Sequence, residues 1–333
     1  MTRMFSAFGE SKTETPKRWL AVLSLLLAAL FLWLALRNLD WRVFFEKLQN
    51  AHYAYLPLLF LWSSVTFFIR AWRLRILLSA ERTLPPLNVF WANMAGYLGN
   101  NLLPARAGEL IRAAYLGKRN PISASYALAA GLVERLMDMI ALIILGAAAL
   151  SLNGVLSPAF QNALKSVLIL GIIGLLILFS LPRFGEPLAR FLVNVPLLKE
   201  SHKEKASAFL RQFNGGLRAL NHAPRVLRFI LLTALVWLLD AVGNIFLAYI
   251  LNLRLTLSQS FVLLAALGLS SAIPSTPGYV GVYQFVAIAA LTPFGVSQAD
   301  ALAFIIVSQI FGYLVVGLWG LSALWRFSKD ARI

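Results

Sequence analysis

The sequence contains no cysteine and only three histidines, His52, His202 and His222. Disulfides, thiolate metal sites and cysteine nucleophiles are therefore excluded, and the histidines are too scattered to read as a metal centre. Charge is also scarce. Charged residues make up 13% of the 333, against about 25% in ordinary soluble domains. Acid is scarcer than base, with 14 Asp and Glu against 30 Lys and Arg, a formal charge of +16. No Walker loop, G-x-G-x-x-G, H-E-x-x-H or G-x-S-x-G motif is present. What the chain has in excess is apolar residues, 59%, arranged in long runs. A soluble enzyme, a disordered chain and a disulfide scaffold are excluded. The runs are continuous rather than alternating, which also excludes an outer-membrane barrel. The expectation is an all-α polytopic membrane protein forming a single membrane domain over 1–333. The basic residues flank the apolar runs, so they read as topology signals and anionic-lipid contacts, with no nucleic-acid partner.

A helix needs about 20 residues to cross the ~30 Å hydrocarbon core. Six segments read as full spans: 19–36, 53–72, 123–150, 166–181, 228–251 and 301–325. Two further apolar segments do not. Residues 255–299 run 45 residues without a charge, too long for one span, and the middle reads IPSTPG at 273–278. Two prolines and a glycine break a helix there. Residues 87–103 are followed by a similar break, PARAGELIR at 104–112. Each segment reads as a re-entrant hairpin of two half-helices. Unpaired backbone at membrane depth survives only inside protein or beside water, so both breaks are expected at an internal cavity.

With the N-terminus in the cytoplasm, this count puts 23 Lys and Arg inside and 4 outside, leaving Arg106, Arg135 and Lys165 unassigned. That split fits the bias of basic residues to the inside and places both termini in the cytoplasm of a bacterial-type inner membrane. The loop 183–225 carries Phe209, Phe213, Leu217 and Leu220 on one helical face amid basic residues. It reads either as an amphipathic helix on anionic headgroups or as a solvated linker helix. Pro104-x-x-x-Gly108 recurs as Pro274-x-x-x-Gly278, and each copy sits at the same place among three spans. An odd number of spans turns the second unit upside down. The expectation is an inverted repeat, about 19–150 and about 164–325, a pattern of transporters whose substrate site lies where the breaks meet.

Charges in a membrane core cost about 2.5–3.5 kcal/mol each on insertion scales, so each needs a reason. Glu134 and Asp138 share a face of the third span, with Arg135 beside them, and Asp240 and Asn244 share a face of the fifth. The first break adds Asn100, Asn101, Arg106, Gly108, Glu109 and Arg112, and the second adds Pro274, Ser275, Thr276, Pro277, Gly278 and Tyr279. Arg106, Glu109 and Arg112 are spaced by three and alternate in sign. One reading is a polar vestibule in which Arg106 and Arg112 contact a phosphate, aided by the helix N-terminus near Gly108. Glu134, Asp138 and Asp240 would then contact a cationic group, bind a coupling proton or balance the arginines. The other reading is a buried ion-pair network that fixes packing. Arg70, Arg73 and Arg75 read as anchors snorkelling to the interface. Trp19, Trp33, Trp41, Trp62 and Trp72 read as interfacial or lipid-facing. Gly171, Gly174, Gly317 and Gly320 permit close helix contacts, including between copies.

Three segments resemble a known family: GNNLLPARAGELIR at 99–112, VERLMD at 133–138 and STPGYVGVYQF at 275–285. Together they look like the membrane domain of lysylphosphatidylglycerol synthases, over about 19–325. In two-domain members a soluble domain transfers an amino acid from tRNA to phosphatidylglycerol, and the membrane domain moves the lipid product across the bilayer. This sequence carries no such soluble domain, so the resemblance implies lipid translocation rather than aminoacyl transfer. Gln284 stands where the family leads one to expect Glu, which counts against a proton-coupling role there. The expected function is a lipid flippase without cofactor or metal. Its partners are expected to be anionic or aminoacylated phospholipid and either further copies of itself or a lipid-modifying enzyme. The alternatives are a membrane enzyme acting on a lipid or polyprenyl phosphate, or a partner subunit for one.

Overall fold

The computed structural model describes residues 18–103, 106–152, 166, 169–174, 176, 222–271 and 277–330. Every regular element among them is helical: α1 (Arg18–Leu36), α2 (Trp41–Gln49), α3 (Leu56–Leu78), α4 (Pro86–Leu102), α5 (Gly108–Arg119), α6 (Ala124–Leu152), α7 (Ala223–Ile250), α8 (Leu257–Ser270), α9 (Val282–Leu291) and α10 (Gln298–Asp330). Local chemistry sets their starts. Asp40 caps α2, its carboxylate accepting from the Arg42 and Val43 N–H groups at 3.0 and 3.2 Å. Thr256 and Gln259 cap α8 reciprocally. A proline lies in the first turn of α3, α4 and α7, where a missing N–H costs nothing.

Among the described residues, four helical stretches are long and apolar enough to cross a membrane: Tyr53–Leu78, Ala124–Leu152, Ala223–Ile250 and Gln298–Lys329. At 1.5 Å per residue, the 23 residues of α3 run about 35 Å. Their outer faces are greasy. Leu61, Val65 and Trp72 on α3, Leu231 and Leu235 on α7, and Leu314, Leu318 and Leu321 on α10 are all exposed, while Arg73, Arg112, Glu134 and Asp138 are buried. Water-facing proteins rarely expose apolar patches of this extent; hydrocarbon reverses the preference.

Contacts between distant segments identify two opposite ends of the bundle. At one, His52 N–H donates to the Ile250 carbonyl at 2.7 Å, Lys47 pairs with Asp300 at 3.1 Å, and Gln298 donates to the Ala35 carbonyl at 2.8 Å. At the other, Arg119 donates to the Arg326 carbonyl at 2.7 Å and the Tyr126 hydroxyl to the Leu77 carbonyl at 3.0 Å. The chain enters α4 from the second end, turns back after Leu102 and returns along α5. It enters α8 from the first end and returns along α9. The first turn is closed by backbone contact: a Cβ at Gly108 would overlap the Gly96 carbonyl oxygen. Helix pairings recur. Contacts of α3 with α4, α4 with α5 and α5 with α6 are matched by α7 with α8, α8 with α9 and α9 with α10. The contact of α4 with α10 is matched by that of α8 with α6.

The apolar core is split. One cluster, around Leu74, Leu77, Met94, Tyr115 and Phe229, lies toward the second end. Another, around Leu59, Leu247, Leu263, Leu302 and Phe304, lies toward the first. Gly171 sits against Ile143 of α6 and Gly320 against Leu98 of α4, so these close contacts are internal to the chain. The loop 183–225 lies outside the described residues up to 221, and its last three residues begin α7.

Candidate functional site, an arginine-lined cavity

The buried acids are matched to arginines one by one. Arg73 of α3, 1% exposed, extends its guanidinium to α6 and donates to Glu134 at 2.9 Å and to Asp138 at 2.5 and 2.8 Å. Arg112 of α5 binds the other oxygen of Glu134 at 3.0 Å and Glu109 at 2.6 Å. Its guanidinium lies over Gly131 of α6, where a Cβ would overlap it. Glu109 also accepts from Arg135 at 2.9 and 3.0 Å. Arg70 of α3 pairs with Asp240 of α7. Arg70 also lies over the Trp237 ring, and Arg73 over the Phe229 ring, at 5.3 and 5.5 Å. Isolated, each of these charges would be too costly to bury; paired and hydrogen-bonded, they persist.

Two sequence expectations are corrected here. Arg70 and Arg73 do not snorkel to an interface but are the central cations of the cluster, while Arg75 reaches the Leu84 carbonyl at 2.5 Å. Arg70, Arg73 and Arg112 thus leave the cytoplasmic charge count, whose excess survives without them. Trp62 is not interfacial either: its indole N–H donates to the Leu239 carbonyl at 2.9 Å, and it lines the cavity described next. The missed signal was arithmetic, since acids on α6 and α7 require as many cations, and Arg70 and Arg73 are spaced i, i+3 on a membrane-spanning helix.

Beside this network lies a cavity of about 470 Å³. Of the residues expected at the site, Asn100, Asn101, Arg106, Arg135, Asp240, Asn244 and Tyr279 line it. Arg70, Tyr97, Trp237, Ser271 and Tyr283, not foreseen, line it too. The cavity touches both apolar clusters, through Leu59 and Leu247 on one side and Phe67 and Tyr97 on the other. Glu109, Arg112, Glu134 and Asp138 stand behind it in the ion-pair network. Gly108 is a packing contact. Gln284 accepts from the Gly281 N–H at 2.7 Å and donates to Gln309, which in turn donates to the Gly278 carbonyl at 3.0 Å. Pro104, Pro274, Ser275 and Thr276 fall outside the described residues; Pro277 opens the turn Pro277–Tyr279.

Arg106 differs from the other arginines. It has no carboxylate partner among the described residues. It reaches from the first break to the end of α8, donating to the Ser271 carbonyl at 2.8 Å and to the Ser271 hydroxyl. Its backbone is left-handed, φ 53°, and so is that of Tyr279, φ 60°. Each hairpin thus places one non-glycine residue in a conformation costing about 1–3 kcal/mol, and both residues line the cavity.

Residues 21–320 match the family described as the lysylphosphatidylglycerol synthase TM region. The chain belongs to that family. It is a multi-pass integral membrane protein of a lipid-related family, as the three motifs implied. A UPF0104 membrane protein of Methanocaldococcus jannaschii is 28% identical over 225 residues, covering 66% of this chain and 90% of the relative. Another, from Methanothermobacter thermautotrophicus, is 24% identical over 256 residues, covering 71% and 74%. No solved structure matches the chain.

Proposed function

We propose that the protein moves a charged-headgroup phospholipid between the leaflets of a bacterial-type cytoplasmic membrane, with the headgroup passing through the arginine-lined cavity. One observation carries this reading. The cavity takes a left-handed residue from each helix break, Arg106 and Tyr279, together with orphaned polar atoms of the flanking spans. Lipid tails satisfy none of these groups; a hydrated headgroup does. The volume falls in the range of about 300–1,000 Å³ typical of small-molecule sites.

The proposed topology has six crossings: α1, α3, α6, the segment 166–181, α7 and α10. Two re-entrant hairpins, α4–α5 and α8–α9, open on opposite sides. The matched helix pairings support two inverted units, and the basic excess among Arg82, Lys118, Arg119, Arg225 and Arg326 supports a cytoplasmic second end. Such units alternate access by rocking about a fixed midplane site. With no nucleotide motif, a gradient or lipid supply drives net movement.

The test is purified protein in liposomes carrying fluorescent phospholipids, with leaflet exchange followed by dithionite quenching. Exchange well above that of empty liposomes is expected. Exchange at the empty-liposome rate for anionic, zwitterionic and polyprenyl-phosphate lipids alike would remove the reading and promote a membrane enzyme or an enzyme's partner subunit.

A further inference from the structure

Within that reading, the charge inventory of the site selects among headgroups. Arg70, Arg73, Arg106, Arg112 and Arg135 face four carboxylates, Glu109, Glu134, Asp138 and Asp240. All four carboxylates are held by guanidinium groups. Arg106 alone of the five is held only by neutral oxygens, those of Ser271. The site therefore carries one uncompensated positive charge, and the one carboxylate on the cavity wall, Asp240, is held by Arg70 through Oδ2.

The unused hydrogen-bonding capacity has the same bias. Four residues on the cavity wall carry a buried polar atom without a hydrogen-bond partner: Arg70 Nε, Trp237 Nε1, Asn244 Nδ2 and Asn100 Oδ1. Three are N–H donors and one is an acceptor. Trp237, Asp240 and Asn244 share one face of α7, being spaced by three and four, so two of these donors flank the Arg70–Asp240 pair. These atoms are shut off from water; turned toward the cavity by side-chain rotation, they would complement a group rich in acceptor oxygens that also offers a hydroxyl. A phosphodiester with a hydroxylated alcohol has that composition.

An ammonium-bearing headgroup meets the opposite situation. To bind, it must approach a wall lined by Arg70, Arg106 and Arg135 and compete with Arg70 for Asp240, the one carboxylate there, and both steps weaken its hold. We infer that the cavity accepts an anionic, hydroxylated phospholipid headgroup and excludes the cationic aminoacylated form of the same lipid. Arg106 supplies the phosphate contact, exchanging the Ser271 carbonyl for phosphate oxygens, a stronger charge-assisted partner. The exchange also frees the first hairpin from α8 at the moment the headgroup arrives.

The experiment uses the purified full chain with phosphatidylglycerol, its lysyl ester and phosphatidylcholine as probes. In liposomes, phosphatidylglycerol should exchange at least about ten-fold faster than the lysyl ester, the size expected when like charges oppose a bound group. Arg106→Gln should reduce that preference to less than about three-fold, and Arg106→Lys should restore most of it. Equal or faster exchange of the lysyl ester overturns the inference while leaving lipid movement intact. If no lipid moves, the transport reading fails, and the inference is decided by thermal melting in micelles doped with each lipid. Stabilisation by phosphatidylglycerol that is absent with the lysyl ester and lost in a folded Arg106→Gln variant upholds it. Equal stabilisation by both lipids, or a shift that survives in Arg106→Gln, overturns it.

Discussion

Arg70 and Asp240 pair across 170 positions of chain, and the same offset relates Pro104 to Pro274 and Gly108 to Gly278. Under the proposed inverted repeat the two residues occupy equivalent places in the two units. Equivalent residues touch each other only on the axis that relates the units, so on that reading the pair would mark where the axis passes. Asp240→Asn removes the anionic partner of the part-buried Arg70 and is expected to cost about 1.5–3 kcal/mol. Because the positions are equivalent, the exchanged pair Arg70→Asp with Asp240→Arg should recover most of that loss. Unfolding in detergent, followed by size-exclusion yield, reads both, and an exchanged pair no better than the single variant would refute the equivalence.

Arg73 serves two carboxylates, whereas Glu134 has a second cation in Arg112. Arg73→Leu should therefore strand Asp138 more than Glu134. Adding Asp138→Leu should rescue folded yield, and adding Glu134→Leu should not. The single variant is expected to lose about 3–5 kcal/mol, measured as the midpoint of thermal unfolding.

Gly108 and Gly317 separate packing from composition. A methyl at Gly108 meets the Gly96 carbonyl and Asn100, whereas one at Gly317 meets nothing within 4 Å. Gly108→Ala should destabilise by about 3 kcal/mol or more through overpacking. Gly317→Ala should be neutral or slightly stabilising, by up to about 1 kcal/mol from helix propensity. The pair is compared by melting temperature in one detergent.

The absence of native cysteine allows the topology to be labelled directly. Arg254→Cys, in the turn between α7 and α8, should react with an impermeant maleimide added outside intact cells. Lys205→Cys should react only after permeabilisation. Outside labelling at position 205 would reverse the assignment of sides.

Much of the fold was legible because a membrane helix has a length set by the bilayer and a composition set by hydrocarbon. The spans 123–150 and 228–251 fall within five residues of α6 and α7 at every boundary. The breaks were legible because proline and glycine act locally; α5 begins at Gly108, where the sequence placed it. Partners were not legible. Nothing local tells Arg73 at the end of an apolar run from an interfacial anchor; what distinguishes it is that α6 lies opposite with two carboxylates. Trp62 was misread for the same reason, since its partner is a carbonyl on α7. The division of the acids into cavity wall and supporting network likewise depends on how helices face one another, which residue spacing on one helix does not contain.

In the first hairpin Gly96 and Gly99 receive the Gly108 backbone and the side chains of Arg112 and Ile111, so α4 and α5 are packed closely on each other. In the second, the glycines look elsewhere: Gly278, the counterpart of Gly108, meets Tyr313 of α10, and Gly281 meets the backbone of α1 at Ala28. That hairpin is keyed to its neighbours rather than to itself. Helix pairs with recurring contacts are thus packed in mechanically unlike ways, one closed on itself and one indexed against its neighbours. Under the alternation proposed for transport, the two arrangements would therefore differ in energy, and the packing would favour one of them at rest.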